Sequence, residues 1–141
     1  MAPKRDSHTV DWGLLAGRLG FAAFLIGFHG WARLGRAYRF AALGEPWTFV
    51  NLVAGLGFPF PAFFACLSAL SESAGALFLG IGLFPRFAAL FVAVNMGVAT
   101  FNEAHKGDPF ELPGLYLLFS LMFVVMGGGR FGINNPWRRG R

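Results

Sequence analysis

Residues 60–83 read FPAFFACLSALSESAGALFLGIGL, an apolar run long enough to cross a bilayer as a helix, which takes about 17–25 residues. Polar side chains interrupt the run only at Ser68, Ser71, Glu72 and Ser73. Three further apolar runs occupy residues 12–31, 86–104 and 110–126. None of them alternates apolar and polar residues as a membrane β-strand does. The sequence therefore predicts an all-α membrane protein, an antiparallel bundle of four transmembrane helices.

The composition of the 141 residues supports a membrane location and excludes other classes of protein. Hydrophobic residues make up 55% of the chain and charged residues 13%, about half the charged share of a typical soluble domain. The net charge of +5 comes from basic residues that flank the apolar runs, without the stripe of a nucleic-acid-binding surface. We expect one membrane domain over residues 1–141, contact with lipid and no nucleic-acid partner. Cys66, the single cysteine, permits neither an intramolecular disulfide nor a CxxC motif.

The connections between the runs predict how the chain crosses the membrane. Residues 32–59 form a long first loop with room for an interfacial helix, and Pro85 suits a break between the second and third helices. With both termini inside, the basic residues on the inner side are Lys4, Arg5, Arg86, Arg130, Arg138, Arg139 and Arg141. Those on the outer side are Arg33, Arg36, Arg39 and Lys106. The positive-inside rule therefore predicts an N-in, C-in orientation.

Ionisable side chains inside the apolar runs need a partner or a function, because a charge at mid-bilayer costs about 2.5–3.5 kcal/mol. Arg18 and His29 are spaced so that both lie on one face of the first helix. Counted along their helices, Arg18 and Glu72 lie at depths that differ by about 7 Å. The long arginine side chain, together with a small shift of the helix boundaries, can close this offset. We therefore predict an Arg18–Glu72 pair. It either neutralises two buried charges and fixes the helix register, or faces a substrate cavity.

A second group of polar residues is expected near the outer surface. Its members are His29, Asn102, Glu103, His105 and Tyr116. Histidine titrates near neutral pH and serves in proton transfer and in metal binding. Three interpretations stay open. The group is a metal site, although no tight ligand spacing favours one, or a set of polar residues solvated by water and headgroups. The third interpretation is an opening at the outer surface that transfers protons or binds a ligand. We assign no metal ligand.

Small residues and glycines suggest close packing rather than chemistry. Ala65, Ala69 and Ser73 recur at four-residue spacing, which permits close helix approach in lipid and leaves a homo-oligomer open. Residues 127–130, three glycines and Arg130, suit the left-handed end of a helix. Because no helix N-terminus follows them in the sequence, they do not predict a phosphate site.

Short motifs in a fixed order resemble the DoxX family of small four-helix membrane proteins. They are Arg18-Leu19, Phe28-His29-Gly30-Trp31 with Leu34, Glu72 with Gly75-Ala76-Leu77, residues 79–89, His105 and residues 127–133. The resemblance runs from about residue 18 to residue 134 and implies a bundle in the inner (cytoplasmic) membrane of bacteria. Some relatives are subunits of thiosulfate:quinone oxidoreductase, and others associate with oxidative-stress and thiol-handling enzymes or are induced by catechols and quinones. Gly128 stands where the family commonly has proline, and the chain lacks a cysteine pair for sulfur redox chemistry.

The resemblance makes His29, Glu72 and His105 the candidate catalytic residues and Arg18 their charge partner. Candidate residues for binding a quinone, beside Arg18, are Trp31, Asn102 and Tyr116. We expect a membrane redox component that binds quinone non-covalently and exchanges protons with it. Its electrons are expected to come from a partner, because no haem or iron–sulfur ligation pattern occurs in the sequence. The resemblance implies a soluble redox or oxidative-stress enzyme as that partner.

Two other classes of function stay open. One is a non-catalytic membrane anchor or assembly subunit for a soluble partner enzyme. The other is a carrier of a small solute or lipid, which the lack of an evident inverted repeat disfavours.

Overall fold

The computed structural model describes residues 7–133, and these residues form helices without β-strand. The helices are α1 (Ser7–Leu25), α2 (Trp31–Leu43), α3 (Thr48–Gly55), α4 (Pro61–Leu70), α5 (Ala76–Ile81), α6 (Pro85–Lys106) and α7 (Glu111–Met126). Two π-helical segments, Ile26–Gly30 and Ser71–Gly75, continue α1 into α2 and α4 into α5. The described residues are therefore all-α, as the sequence predicts.

Three helical stretches are long and apolar enough to cross a membrane: His8–Leu43, Pro61–Ile81 and Pro85–Lys106. α7 is also apolar but has 16 residues. Large apolar side chains cover the outside of these helices, among them Phe28, Trp31, Phe87 and Val125, each at least 70% exposed. A surface of this kind is unfavourable in water and suits contact with lipid.

The first helix continues beyond the predicted boundary at residue 31. It runs without a break to Leu43 and ends at Gly44, whose φ is 70° and whose N–H donates to the carbonyl of Arg39. The predicted first loop, residues 32–59, is thus wrong in its first part, because charged residues lower the hydropathy there without stopping the helix. The 36 residues of His8–Leu43 span about 54 Å, well above the roughly 30 Å of a hydrocarbon core.

Proline and glycine set the ends of the remaining long helices. Pro61 and Pro85 are the first residues of α4 and α6, where a missing N–H costs no helical hydrogen bond. Gly82 and Gly107 end α5 and α6 with a φ of 76°, the left-handed conformation that glycine adopts without strain. These residues make the turn between α5 and α6 short, as Pro85 predicts.

The buried apolar residues form two clusters. The larger includes Leu25, Leu79, Val92 and Phe123, and therefore joins α1, α5, α6 and α7. The smaller surrounds Trp47 and joins α2, α3 and α4. α6 and α7 contact each other along their length, from Arg86 with Val125 to Thr100 with Gly114.

The segment after α7 folds back over the beginning of α1. The N–H of Ile133 donates to the carbonyl of Gly82 at 2.9 Å, and the N–H of Arg130 donates to Asp11 Oδ1 at 3.0 Å. The rings of Trp12 and Phe131 pack with centroids 4.8 Å apart. Residues 127–133 thereby close one end of the helical assembly.

Candidate functional site

Glu72 is a buried carboxyl group in the middle of the helical stretch Pro61–Ile81. Its side chain is 3% exposed. Asn95 Nδ2 on α6 donates to Glu72 Oε1 at 3.0 Å, and Arg33 Nη1 on α2 donates to the same oxygen. Ser68 Oγ lies 3.5 Å from Arg33 Nη1. We call Ser68, Glu72, Arg33 and Asn95 the Glu72 cluster, in which three helical stretches meet.

The second carboxylate oxygen of Glu72 differs from the first. Within residues 7–133, Oε2 has no hydrogen-bond partner, although it is buried. A buried polar atom without a partner is unfavourable, and such atoms call for an explanation such as a bound molecule or a chemical role. Oε2 is therefore the atom of the Glu72 cluster whose hydrogen-bonding capacity is left unused by the described residues.

The two π segments bring the first helix onto Glu72. Both segments pack against each other, and a Cβ on Gly30 would collide with the carbonyl oxygen of Glu72. Arg33 lies three residues after Gly30 and hence on the same face of the helix. Its guanidinium also lies over the ring of Phe49, 4.6 Å from the centroid. π segments of one turn occur often at functional sites, because the extra residue redirects side chains.

His29 and Tyr116 lie beside the Glu72 cluster. Their rings meet edge to face with centroids 5.9 Å apart, and Tyr116 also packs against Phe21. His29 directly precedes Gly30, which lies against the backbone of Glu72. The predicted residues His29, Glu72 and Tyr116 are thus neighbours, which gives one acidic, one basic and one phenolic group in a single region.

The predicted Arg18–Glu72 pair is wrong. Glu72 pairs with Arg33, while Arg18 lies against Gly82 and Gly128 at the other end of α5. The depth estimate left an offset of about 7 Å between the two residues, and the Arg18 side chain does not close it, because it lies against Gly82, ten residues after Glu72. Sequence reasoning missed Arg33 because it ended the first helix at residue 31 and left Arg33 in a loop. Its position four residues after His29, on the same helix face, was the available signal.

The remaining predicted site residues lie away from the Glu72 cluster. Asn102 is buried, and its Nδ2 donates to Glu103 Oε1 at 3.1 Å. His105 is exposed near the end of α6 and stacks on Phe101. Trp31 is 75% exposed. The predicted outer group is therefore divided, with His29 and Tyr116 near Glu72 and the others at the end of α6. In residues 7–133 no three His, Cys, Asp or Glu side chains are arranged to hold a metal ion.

An apolar groove lies between the stretch Pro61–Ile81 and α6. It has a volume of about 670 Å³, and the rings of Phe78, Phe84, Phe87 and Phe91 are part of its wall. Gly75, three residues after Glu72, also lines it. The groove is large enough for the apolar part of a lipid-soluble molecule, since ligand pockets typically measure roughly 300–1,000 Å³.

The chain matches the model of a known protein family. The family model DoxX matches residues 13–104 of the chain. This range contains Arg18, His29, Arg33, Glu72 and Asn95, whereas His105 and residues 127–133 lie after it. No curated protein and no solved structure matches the chain.

Proposed function

The chain belongs to the DoxX family of membrane proteins, and on that premise we propose that it binds a quinone beside Glu72 and serves as the membrane component of an oxidoreductase assembly. The observation that carries the proposal is the state of the Glu72 carboxyl group. One oxygen takes two donors, while the other, Oε2, is buried without a partner in residues 7–133. A quinone offers a carbonyl oxygen that needs such a group within hydrogen-bond reach.

We propose that four helices cross the membrane, with α7 as the fourth. The contacts between α6 and α7 run in opposite order along the two helices, since Arg86 meets Val125, Gly97 meets Leu117 and Thr100 meets Gly114. This order supports antiparallel packing. The 16 residues of α7 span about 24 Å, which a local thinning of the bilayer accommodates.

We propose the N-in, C-in orientation in the inner membrane of a bacterium, the location that the family resemblance implies. Arg33 pairs with Glu72 and no longer counts among the residues that flank the membrane. The outer side then keeps Arg36, Arg39 and Lys106, against seven basic residues on the inner side. The imbalance is larger than the sequence alone suggests, and it favours the same orientation.

The proposed chemistry is proton transfer during quinone reduction. A quinone accepts two electrons and two protons, one proton on each oxygen, to give a quinol. The electrons come from a redox or oxidative-stress enzyme that associates with the membrane component. The Glu72 carboxylate, which is ionised in its pair with Arg33, first accepts a proton at Oε2 and then delivers it to the nearer quinone oxygen, while water from the aqueous phase protonates the other oxygen. His29, which lies beside the cluster, supplies that proton to Oε2.

The apolar groove is a second observation that supports the proposal. A quinone carries a long apolar tail, and the groove presents aromatic rings to such a chain at the level of Gly75, close to Glu72 in the sequence. Phe84, Phe87 and Phe91 lie on α6 or next to its first residue, the helix that also supplies Asn95.

The test is binding of a short-chain quinone to the purified full-length protein, measured by the shift of the melting temperature. We expect saturable stabilisation of the wild type and of Glu111→Gln, in which an exposed carboxylate is removed. Glu72→Gln is expected to lose the stabilisation. Because Glu72→Gln leaves Arg33, which is 30% exposed, without its counter-charge, the double variant Arg33→Gln/Glu72→Gln is measured as well and is also expected to lose the stabilisation.

Equal quinone binding by Glu72→Gln and the wild type would remove Glu72 from the site. A soluble enzyme that co-purifies in fixed ratio with both Glu72→Gln and the wild type, in the absence of any quinone effect, would instead favour a non-catalytic anchor or assembly subunit.

A further inference from the structure

Arg18 is a buried cation without a hydrogen-bond partner, and it lies apart from the Glu72 cluster. Its side chain has no exposed surface, and none of its three side-chain nitrogens has a partner among residues 7–133. Arginine stays protonated in proteins and carries five N–H donors. Buried donors of a charged group are costly to leave without acceptors, so this position calls for one.

The carboxylates of residues 7–133 do not supply that acceptor. Glu72 accepts from Arg33 and Asn95, and Asp11 accepts from the N–H of Arg130. The other four lie at the ends of the helices that are far from Arg18. Glu45 follows α2, and Glu103, Asp108 and Glu111 lie near the connection of α6 to α7. The C-terminal ends of α5 and α7 favour a cation electrostatically, yet no carbonyl oxygen of the described residues accepts from the guanidinium.

Glycine backbone surrounds the guanidinium of Arg18. A Cβ on Gly82 would collide with Nη1, and a Cβ on Gly128 would lie 3.0 Å from Nη1 and 2.8 Å from Cγ of Pro85. Gly132 lies against both of these positions, 2.8 Å and 3.3 Å from the two Cβ sites. Side chains are therefore excluded where Arg18 meets the turn between α5 and α6.

A helix N-terminus lies at the same turn. α6 has 22 residues, begins at Pro85 and has no side-chain cap. Pro85 has no N–H and the N–H of Ala88 donates to the carbonyl of Phe84, so the N–H groups of Arg86 and Phe87 are the donors left without an intrahelical acceptor. The helix dipole favours an anion there. Arg86 follows directly, and its Nη2 donates to the carbonyl of Val125 at 3.4 Å. Two arginines and an uncapped helix N-terminus thus surround one turn.

We propose that Arg18 and the N-terminus of α6 bind a phosphate-type oxyanion, either the headgroup phosphate of a lipid or a free phosphate compound. The planar guanidinium gives two parallel hydrogen bonds to phosphate, and the helix N-terminus adds backbone donors. The glycines at 127–129 lack a helix N-terminus after them in the sequence, but the fold brings the N-terminus of α6 beside Gly128. Residues 127–133 cover the site, so we expect slow exchange of the bound anion.

Two measurements on the full chain purified in detergent distinguish the sources of the phosphate. Native mass spectrometry tests for a bound phospholipid, with phosphatidylglycerol added back as the probe. Melting of the delipidated protein in inorganic phosphate, compared with chloride at equal ionic strength, tests for free phosphate. We expect one probe to bind the wild type saturably and to bind Arg18→Lys about tenfold more weakly. Lysine keeps the charge but lacks the paired N–H donors of the planar guanidinium. Arg39→Lys, an exposed arginine at the far end of α2, is the matched control and is expected to bind as the wild type does.

Saturable binding of neither probe to the wild type would overturn the proposal, as would equal binding by Arg18→Lys and the wild type. Should Arg18→Lys fail to fold, Gly128→Ala takes its place, because its methyl group meets both Nη1 and Pro85. Unchanged binding by Gly128→Ala would count against the site in the same way.

Discussion

Gly30 lies directly against the backbone carbonyl of Glu72, so the two π segments cross without a side chain between them. This contact fixes the depth of the first helix relative to the second. It places Arg33, one turn further along, beside the buried carboxylate. The composition of the Glu72 cluster therefore depends on a backbone contact that only glycine permits.

We expect Gly30→Ala to destabilise the protein by about 1–3 kcal/mol, the usual effect of overpacking. The methyl group meets backbone atoms of Glu72 and Ser73, which cannot turn aside as the end of a flexible side chain does. The matched control is Gly27→Ala in the same π segment, where a Cβ meets nothing within 4 Å. Unfolding in detergent measures both, and equal stability of the two variants would contradict the assigned crossing.

A double-mutant cycle tests the pairing of Glu72. Arg33→Gln leaves the buried carboxylate of Glu72 without its counter-charge and is expected to cost about 3–5 kcal/mol of unfolding free energy. Glu72→Gln leaves Arg33, which is 30% exposed, and is expected to cost less. The double variant is expected to lose much less than the sum. The same cycle with Arg18→Gln in place of Arg33→Gln is expected to be additive within about 0.5 kcal/mol, because Arg18 and Glu72 share no partner. Coupling of Arg18 to Glu72 instead would restore the pair that the sequence alone predicts.

The errors of the sequence-based prediction have two physical sources. Apolar runs identify helices that face lipid, and the all-helical fold, three of the apolar runs as candidate spans and Glu72 as a buried group follow from them. Arg33 was missed because a charged residue inside a bundle lowers the hydropathy of its own segment. Part of a long helix was therefore predicted to be a loop. The depth of the first helix relative to the helix that carries Glu72 could not be predicted either. It depends on the contact of Gly30 with Glu72 and on two π segments, neither of which follows from a count at 3.6 residues per turn.

Asn95 is expected to stabilise the charge on Glu72, since its amide donates to Oε1 at 3.0 Å. Asn95→Ala removes a hydrogen bond to a charged group, and a loss of about 1.5–3 kcal/mol is expected. Asn51→Ala on α3 is the control, because Asn51 is exposed. Chemical denaturation of the two variants in the same detergent gives the comparison. A loss no larger for Asn95→Ala than for Asn51→Ala would show that the amide does not support the carboxylate.

The length of the first helix predicts which residues reach water. Gly30 lies at the depth of Glu72, near the middle of the 21-residue stretch Pro61–Ile81. Position 42 is twelve residues further, about 18 Å along the helix, which exceeds half of a hydrocarbon core roughly 30 Å thick.

With Cys66→Ser as background, we expect a membrane-impermeant maleimide to label Ala42→Cys in spheroplasts. Phe24→Cys, in the apolar part of α1, is expected to stay unlabelled, and Ile133→Cys to react only after permeabilisation. Labelling of Ile133→Cys in sealed spheroplasts, with Ala42→Cys protected, would reverse the orientation. Protection of Ala42→Cys on both sides would mean that α2 stays within the bilayer.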